Sequence, residues 1–573
     1  MNFASDNSES KLTLTYSGRR KLLLVLFLLL AVALVGRALK LQVIEKDFLQ
    51  RQADIRHMRV VPVSAHRGKI LDRNGDAVAI STPVQSAWIN PGEFEASVGQ
   101  KKVLSKLLSI SDSKIARLAS DRSKSFAYLK RRIDPALAER VAALELPGLY
   151  FQTEYRRYYP AGEVAAQLVG FTDIDDVGQE GLELAYEEWL DGDDGRKRIV
   201  RDGKRRIIED VELIQSAEAG KDLVLSIDLD MQYLAYRELK AAVKMHNAKS
   251  GSLVLLNVQT GEVLAMVSQP SFNPNSSSKS GSRRNRAVTD VSEPGSTVKP
   301  FAVACGLENG VISENSAVNT SPGHYYIGRH RISDHGKPGL LSVSRILEKS
   351  SNVGVSKIAL KLEPSQLWAC YDHLGFGRAS AAGFPGEASG RLPDYSRWHK
   401  IEQATMSYGY GLSVSTLQLA RAYAVLANGG TIPEVTFLKR SEQVAGEQIF
   451  SRSTTQPLQL MLEKVVGDEG TAPLARVNGY RVAGKTGTVK KAGAGGYSDD
   501  RYQTLFAGFA PVSNPQLAMA VMIDDPAGEK YYGGTVAAPV FSKVMAGVLR
   551  LSGSKPDLAS DMFQVGIRQR RAL

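Results

Sequence analysis

Hydrophobic positions are densest near the beginning of the chain. Residues 22–36 carry no charged side chain, and the apolar pattern continues beyond them. A helix that crosses a bilayer needs about 20 apolar residues, so we predict a transmembrane anchor over residues 22–44. Three basic residues at positions 19–21 precede this segment. They predict that residues 1–21 form a cytoplasmic tail and that the rest of the chain lies outside.

A cleaved signal peptide is the alternative for this segment, because the strictly uncharged stretch is short for a span. Ala31, Val32 and Ala33 would then form the cleavage site. Arg37 and Lys40 interrupt the second half of the predicted anchor, but long basic side chains can extend to the membrane interface. Because the apolar pattern continues past both charges, we favour a retained anchor.

Residues 45–220 alternate between short stretches with strand and helix periodicity, which predicts a mixed α+β domain. Asn74-Gly75 follows an extended stretch and predicts a hairpin turn. The other turn-rich stretches are charged, and we expect buried arginine–carboxylate pairs to hold them. We assign this structural role to Arg67, Asp72, Arg73 and Glu183.

A second domain is predicted over residues 221–552. Strand patterns stand near its beginning, at 252–267, and near its end, at 481–524, with helical patterns between and after them. This order predicts one mostly antiparallel sheet with helices packed against it, an α/β (α+β) fold. Residues 553–573 are polar without a repeat and predict a C-terminal tail.

Composition excludes several classes of protein. A chain of 573 residues with 43% hydrophobic and 23% charged residues is typical of a globular protein with several domains. The net charge of +12 is scattered and no nucleic-acid fingerprint accompanies it, so an anionic membrane surface is the more specific interpretation. The two cysteines, Cys305 and Cys370, exclude a disulfide scaffold. One bridge remains open, and we favour two buried free thiols.

The candidate chemistry begins at Ser296 and Lys299. Pro294-Gly295 breaks the chain, and Pro300 falls in the first turn of a helix, where a missing N–H costs little. Residues one turn apart share a helix face, so a neutral lysine amine can take the serine proton. The same spacing begins at four other serines, Ser8, Ser111, Ser276 and Ser552. The pair alone is therefore weak evidence.

Two further motifs follow in order, Ser350-Ser351-Asn352 and Lys485-Thr486-Gly487-Thr488. Serine-lysine, then S-x-N, then K-T-G resembles the three-part signature of the penicillin-binding proteins and serine β-lactamases. A chance match of three motifs in this order is improbable. A glutamate of the E-x-x-L-N type, which a class A β-lactamase needs, is not found, and Glu363 does not fit that pattern.

Motifs in the first domain narrow the resemblance. R-G-x-x-x-D-R-x-G begins at Arg67, R-x-Y-P-x-G at Arg157 and G-x-x-G-x-E at Gly178. With the later motifs they resemble the class B penicillin-binding proteins over nearly the whole chain, and most closely the division-specific penicillin-binding protein 3 type of Gram-negative bacteria. The resemblance implies a noncatalytic pedestal over 45–220 and a transpeptidase domain over 221–552.

Each motif residue can be given a role. Ser296 is the nucleophile and Lys299 its base, provided that burial and a nearby like charge keep the amine neutral part of the time. Lys485 would supply that charge. Ser350 would relay a proton to the leaving group, and Asn352 would bind the substrate backbone.

Substrate contacts are expected along the K-T-G strand. Lys485, Thr486, Gly487 and Thr488 line an edge that an extended peptide can join. The resemblance implies an oxyanion hole from the backbone N–H groups of Ser296 and Thr488. Three tyrosines in glycine-rich loops could form an aromatic wall around the substrate, with ordinary loop packing as an equal alternative: Tyr410, Tyr502 and Tyr532.

The leading hypothesis is a peptidoglycan D,D-transpeptidase in septal cell-wall synthesis, which β-lactams inhibit through the same serine. A D,D-carboxypeptidase, a β-lactamase-type hydrolase and a noncatalytic penicillin-binding scaffold are the alternatives. We expect no cofactor and no metal, because no G-x-S-x-G or H-E-x-x-H motif occurs.

The resemblance also implies a location and partners. It implies a single-pass protein of the bacterial inner membrane with a periplasmic catalytic domain. Its partners would be stem peptides, β-lactams, the lipid bilayer, a membrane glycosyltransferase that polymerises glycan strands and other division proteins. The residues alone leave open the acceptor diamino acid, activation by partners and the oligomeric state.

Overall fold

The computed structural model describes residues 13–48, 58–201, 207–276, 281–337, 339–442, 444, 446–493, 496–528 and 531–558. The predicted cytoplasmic tail lies outside these residues over 1–12, and the predicted C-terminal tail over 559–573. The α-helices are α1 (Thr13–Leu39), α2 (Val98–Leu108), α3 (Asp112–Ser120), α4 (Pro135–Ala142), α5 (Ala166–Val169), α6 (Gly181–Ala185), α7 (Glu187–Leu190), α8 (Leu229–Met245), α9 (Arg286–Thr289), α10 (Lys299–Glu308), α11 (Val343–Glu348), α12 (Asn352–Ala359), α13 (Pro364–His373), α14 (Lys400–Met406), α15 (Thr416–Ala427), α16 (Arg452–Val466) and α17 (Gly533–Leu551).

The β-strands follow the same order along the chain. They are β1 (Met58–Val63), β2 (Ile70–Leu71), β3 (Ala77–Ile89), β4 (Ala127–Ile133), β5 (Leu149–Tyr158), β6 (Phe171–Thr172), β7 (Gly178–Glu180), β8 (Gly195–Arg201), β9 (Ile207–Gln215), β10 (Leu223–Val224), β11 (Ser250–Asn257), β12 (Val263–Gln269), β13 (Ala317–Asn319), β14 (His324–Ile327), β15 (His330–Ser333), β16 (Leu340–Ser342), β17 (Ala483–Gly493), β18 (Gly496–Ala510) and β19 (Leu517–Asp524).

Helix α1 coincides with the predicted anchor and continues as a π-helical turn, Lys40–Ile44. The segment Gly18–Ile44 is long and apolar enough to cross a membrane, and none of it is buried. Helix α17 satisfies the same criterion of length and composition, but 56% of its apolar window is buried. It is therefore a core helix, and α1 is the candidate membrane span.

The described residues form two compact units, of which the first comprises 13–48, 58–65, 85–154, 193–201 and 207–218. In this unit β1, β8 and β9 make a three-stranded antiparallel sheet. The second half of β3 pairs antiparallel with β4. Helices α2, α3 and α4 pack with β3 and β4 in a small separate core of leucine, isoleucine, valine and alanine side chains. The unit is thus mixed α+β.

The second unit comprises 66–84, 155–192 and the described residues from 219 to 558. Its centre is a five-stranded sheet in the order β12-β11-β19-β18-β17, and every neighbouring pair in it is antiparallel. Nearly every residue of β11, β12 and β19 is buried because helices such as α8, α15 and α17 pack on the sheet. The predicted antiparallel sheet with helices against it is confirmed.

Most of the predicted elements that frame this sheet are present. The hairpin of β11 and β12 turns at Gly261, which has a φ of +71°. The residues from 223 to 227 also have a strand pattern in the sequence, but that prediction is wrong in length. Ladder pairing ends after Val224, and Leu225 makes only an isolated bridge with Leu438. Strand β17 stands at the end of the sheet order, which leaves its outer edge for another strand.

A buried ion-pair network holds the charged loops of the first predicted domain. Glu183 is fully buried, and its two oxygens accept from Arg67 Nε at 2.9 Å and from Arg157 Nε at 2.6 Å. Arg67 also donates to Glu187 Oε2 at 2.6 Å. Removing one partner of such a network leaves a buried charge unpaired, which is strongly destabilising.

Asp72 and Arg73 lie at the hairpin turn that Asn74-Gly75 predicts. Asp72 Oδ1 accepts from the N–H of Asn74 at 2.8 Å, and Asp72 Oδ2 accepts from the N–H of Leu229 at the start of α8 at 3.1 Å. The guanidinium of Arg73 lies 3.6 Å from the buried carboxylate of Glu262. These contacts tie the turn to the sheet domain within the second unit.

The cysteines only partly match the prediction. Both are free thiols, but Cys305 in α10 is buried while Cys370 in α13 is half-buried. Burial raises the pKa of the Cys305 thiol, and a hydrogen bond with Cys370 raises it further. A thiol with a raised pKa is a weak nucleophile.

Candidate active site

Ser296 lies in a 3-10 turn, Gly295–Val298, that leads directly into α10. Pro300 occupies the first turn of α10, as predicted, where it costs no hydrogen bond. Tyr423 Oη donates to the carbonyl of Thr297 at 2.8 Å and fixes the turn from the core. Ser296 is half-buried, and its hydroxyl makes no hydrogen bond with another described residue.

Two glycines allow the serine turn to pack closely against its neighbours. Gly295 has a φ of +54°, and a Cβ there would lie 2.4 Å from Val489 Cγ2 in β17. Gly409 has a φ of +85°, and a Cβ there would lie 2.2 Å from the carbonyl oxygen of Gly295. The N–H of Gly295 donates to the carbonyl of Gly409 at 3.2 Å. The turn is therefore wedged between a loop and the K-T-G strand.

Lys299 is fully buried and contacts the second motif. Its Nζ donates to the carbonyl oxygen of Ser350 at 2.5 Å and to Ser350 Oγ at 3.0 Å. Ser350 has a φ of +59°, a strained conformation for a residue with a side chain. The S-x-x-K lysine thus reaches the S-x-N serine, which places a possible proton relay beside the base.

Lys485 is the second fully buried lysine of the site. Its Nζ donates to Thr486 Oγ1 at 3.2 Å, and Thr486 Oγ1 lies 3.0 Å from Thr471 Oγ1. Burial lowers the pKa of Lys485 to about 7. Burial also lowers the pKa of Lys299 well below its ordinary value, and the positive charge of Lys485 lowers it further. Both effects favour a neutral amine on Lys299.

The K-T-G strand presents its residues to two sides, as strand alternation requires. A Cβ at Gly487 would lie 2.9 Å from the carbonyl of Pro294, so this position lies against the serine turn. Thr488 Oγ1 accepts from the N–H of Gly533 at 3.0 Å at the start of α17, whereas Thr486 Oγ1 accepts from Lys485 Nζ. Thr486 is buried and Thr488 half-buried.

Asn352 begins α12, and its amide is already engaged. Asn352 Nδ2 donates to the carbonyl of Ser333 at 3.0 Å.

Asp334 is a residue that the sequence analysis missed. Its Oδ2 accepts from Ser351 Oγ at 2.6 Å and its Oδ1 from the N–H of Val353 at 3.0 Å, and its charge partly opposes the lowering of the Lys299 pKa. No spacing in the sequence connects Asp334 to these residues.

The three predicted tyrosines belong to two clusters rather than one. Tyr410 packs edge-on against Tyr497 at 5.5 Å between ring centroids. Tyr502 stacks on Tyr531 at 4.2 Å, and Tyr531 stacks on Tyr532 at 4.6 Å. Tyr531 therefore connects Tyr502 to Tyr532, whereas Tyr497, which the sequence analysis did not single out, belongs with Tyr410 to the other cluster.

Glu293 is a second carboxylate that the sequence analysis missed. It accepts from Tyr497 Oη at 3.0 Å and from the N–H of Gly411 at 2.9 Å. It stands three residues before Ser296, so it joins the serine segment to both the Tyr410 loop and strand β18. Burial raises the pKa of Tyr410, and the charge of Glu293 raises it further.

At Ser111 the S-x-x-K spacing serves a different purpose. Ser111 is the N-cap of α3, and its Oγ accepts from the N–H of Lys114 at 3.3 Å. Ser111 is exposed and Lys114 is half-buried. The same spacing therefore marks a helix cap at Ser111 and a buried lysine cluster at Ser296.

A serine on a helix-opening turn, a buried lysine pair and an S-x-N serine beside a sheet edge define the acyl-serine class of transferases and hydrolases. The chain belongs to the class B penicillin-binding proteins of the penicillin-binding protein 3 type. The family profile "Penicillin binding protein transpeptidase domain" matches residues 251–546, and "Penicillin-binding Protein dimerisation domain" matches residues 62–225.

Two curated relatives cover almost the whole chain. The peptidoglycan D,D-transpeptidase FtsI of Escherichia coli (strain K12) is 45% identical over 539 residues, 92% of this chain and 91% of the relative. A probable peptidoglycan D,D-transpeptidase, PbpC, of Pseudomonas aeruginosa is 41% identical over 551 residues, 96% of this chain and 98% of the relative.

Solved structures agree with this assignment. The apo transpeptidase domain of Burkholderia pseudomallei penicillin-binding protein 3 is 43% identical, with a TM-score of 0.55, and covers 58% of this chain and 98% of its own. A peptidoglycan synthetase from Bifidobacterium adolescentis, at 23% identity and a TM-score of 0.70, covers 88% of this chain and 98% of its own. The second likeness concerns the fold alone.

The rate constant for acylation of this site is expected to rise with pH and then to fall. Below its lowered pKa, Lys299 is protonated and cannot accept the serine proton; above about 7, Lys485 loses its positive charge. The second-order rate constant for acylation by penicillin, measured from about pH 5 to about pH 9, should pass through a maximum. A rate constant that still rises at the alkaline end would contradict the role of a charged Lys485.

Proposed function

We propose that this protein is a serine-type peptidoglycan D,D-transpeptidase that cross-links stem peptides through an acyl-enzyme on Ser296 during septal cell-wall synthesis. The observation that carries the proposal is the buried position of Lys299 between Ser350 and the charge of Lys485. A lysine in this environment is neutral often enough to act as a general base.

The first half-reaction would form the acyl-enzyme. Lys299 Nζ takes the proton of Ser296 Oγ, and the oxygen attacks the carbonyl carbon of the penultimate D-alanine. Backbone N–H groups of Ser296 and Thr488 would hold the oxyanion, and the close packing of β17 on the serine turn supports this role. As the C–N bond breaks, the proton passes through Ser350 Oγ to the leaving D-alanine.

The second half-reaction would transfer the acyl group. An amine of a neighbouring stem peptide attacks the ester carbonyl and loses a proton through Ser350 Oγ to Lys299 Nζ. As the ester C–O bond breaks, Lys299 gives this proton to Ser296 Oγ, which restores the serine hydroxyl and the neutral lysine. The unpaired edge of β17 would hold the donor peptide by main-chain hydrogen bonds. The K-T-G segment Lys485 to Thr488 and the tyrosines Tyr410, Tyr502 and Tyr532 would contact donor or β-lactam side chains.

The hydrolase alternatives find less support. A class A β-lactamase needs a glutamate that activates water, and Glu363 instead forms a capping box with Gln366 at the start of α13. The relatives that match nearly the whole chain are transpeptidases by name.

The surroundings of the enzyme belong to the same proposal. Helix α1 would anchor the protein in the inner membrane as a single span, with the basic residues at 19–21 on the cytoplasmic side and the catalytic domain, residues 221–552, in the periplasm. Residues 45–220 would be the pedestal that contacts a glycan-polymerising glycosyltransferase and other division proteins.

The test supplies the full-length protein in detergent with nascent peptidoglycan that carries pentapeptide stems. We expect released D-alanine and cross-linked dimers in equal amounts, and neither product from Ser296→Ala. Release of D-alanine without dimers would instead identify a carboxypeptidase. Turnover by the Ser296→Ala variant would refute the proposed nucleophile.

A further inference from the structure

The hairpin of β14 and β15 and the residues after it concentrate exposed positive charge. Arg329, Arg331 and Lys337 are exposed, and none of them makes an ion pair or side-chain hydrogen bond with another described residue. Over residues 324–337 the one acidic side chain is Asp334. Unpaired cations on a surface attract anionic ligands.

This basic segment is fixed to the S-x-N motif. Asn352 Nδ2 donates to the carbonyl of Ser333 at the end of β15, and both oxygens of Asp334 accept hydrogen bonds from Ser351 and Val353 at the start of α12. Asp334 is therefore occupied by the helix start. Ser350, the residue before Ser351, contacts the base Lys299, so the hairpin ends at the catalytic relay.

A cavity of about 350 Å³ lies between the basic segment and the motif. The side chains that line it include Asp334, His335, Lys337, Arg345 and Lys349. Glu469 binds Arg345 at 2.6 Å, and its backbone carbonyl binds Lys349 Nζ at 2.7 Å, so these two cations are already satisfied. Lys337 is the lining cation left without an ion pair among the described residues.

The reaction itself indicates what would bind here. The acceptor amine must enter where the leaving amine departs, beside Ser350, because both exchange a proton with the same relay. The edge of β17 is assigned to the donor stem peptide, whereas the basic segment is held against the S-x-N motif. An acceptor stem peptide carries free carboxylates, and arginine and lysine bind carboxylates through charge-assisted hydrogen bonds.

We propose that Arg329, Arg331 and Lys337 form an acceptor-carboxylate site, which binds the free carboxylates of the incoming stem peptide and orients its amine toward the acyl-enzyme. This inference rests on the proposed transpeptidase function. It assigns substrate specificity to a surface separate from the K-T-G strand. The site acts only in the second half-reaction, which makes it separable from acylation.

The test uses the full-length protein in detergent with the three substitutions R329Q, R331Q and K337Q combined. A thioester donor acylates the enzyme, and a stem tetrapeptide with a free side-chain amine serves as acceptor, once with free carboxylates and once with amidated carboxylates. The measured quantity is the ratio of aminolysis to hydrolysis products. With the carboxylate peptide we expect this ratio to fall roughly tenfold, and with the amidated peptide to change less than about twofold.

A matched control neutralises three lysines of α2 in the first unit, with K101Q, K102Q and K106Q, for the same change in net charge. It should keep the wild-type ratio with both peptides. An equal loss with both peptides, or no loss with the carboxylate peptide, would overturn the acceptor-carboxylate site. Labelling by fluorescent penicillin is followed in parallel, and its absence from the wild-type protein would refute the proposed function instead.

Discussion

Replacing Lys299 by methionine is expected to lower the rate constant for acylation at least about 10³-fold, since general-base catalysis typically contributes 10²–10⁴-fold. The buried amine is the group that contacts Ser350, and no other lysine replaces it there. Methionine is similar in length and apolar, so it removes the cost of a buried cation. We therefore expect K299M to fold with a melting temperature near that of the wild type. Stopped-flow acylation with a chromogenic β-lactam measures the effect.

The matched control is K114M, which changes the lysine of the S-x-x-K sequence at Ser111. That lysine is half-buried, and its backbone N–H donates to the helix cap Ser111. The K114M protein should acylate at the wild-type rate. A K299M protein that acylates within tenfold of the wild type would contradict the role of Lys299 as base.

Replacing Gly409 by alanine is expected to lower acylation at least about 100-fold, because a displacement of about 1 Å in a catalytic group can cost this much. The new Cβ would lie 2.2 Å from the carbonyl oxygen of Gly295, so the serine turn has to move. The φ of +85° adds a strain of about 1–2 kcal/mol for any residue with a side chain. The rate constant for acylation and the free energy of unfolding should be measured together.

Gly411 provides the control for this substitution. It has a φ of +87°, but a Cβ there would meet only the flexible end of Met406, at 3.1 Å. G411A therefore shares the backbone strain and lacks the collision with the serine turn. If G411A slowed acylation as much as G409A, general destabilisation of the loop would explain both effects. The close packing of Gly409 against the serine turn would then not be needed to explain the loss of activity.

The order of the three motifs in the sequence predicted most residues of the candidate site. The short spacing of Ser296 and Lys299, with Pro300 after it, predicted a helix start, and the structure has a 3-10 turn that leads into α10 there. The apolar alternation of β11, β12 and β19 was equally informative, since these strands are buried and their patterns are long. Long, regular and local signals were therefore read correctly.

Contacts between segments that lie far apart in the chain produce no such pattern in the sequence. Asp334 caps α12 from a different hairpin, and Gly409 touches Gly295 through backbone atoms alone. A carboxylate or a glycine in a loop has many ordinary explanations, and only the folded chain reveals its partner. The same limit applied to β10, where tertiary pairing ended the strand earlier than its residues indicate.

The central claim is that Ser296, and no other serine, is the nucleophile that this lysine cluster activates. Its most direct test is mass spectrometric mapping of the penicillin adduct in the full-length protein, beside labelling of S296A and of S111A. We predict one adduct on the peptide that contains Ser296, no adduct in S296A and normal labelling in S111A. An adduct on another residue, or a label that persists in S296A, would contradict the account.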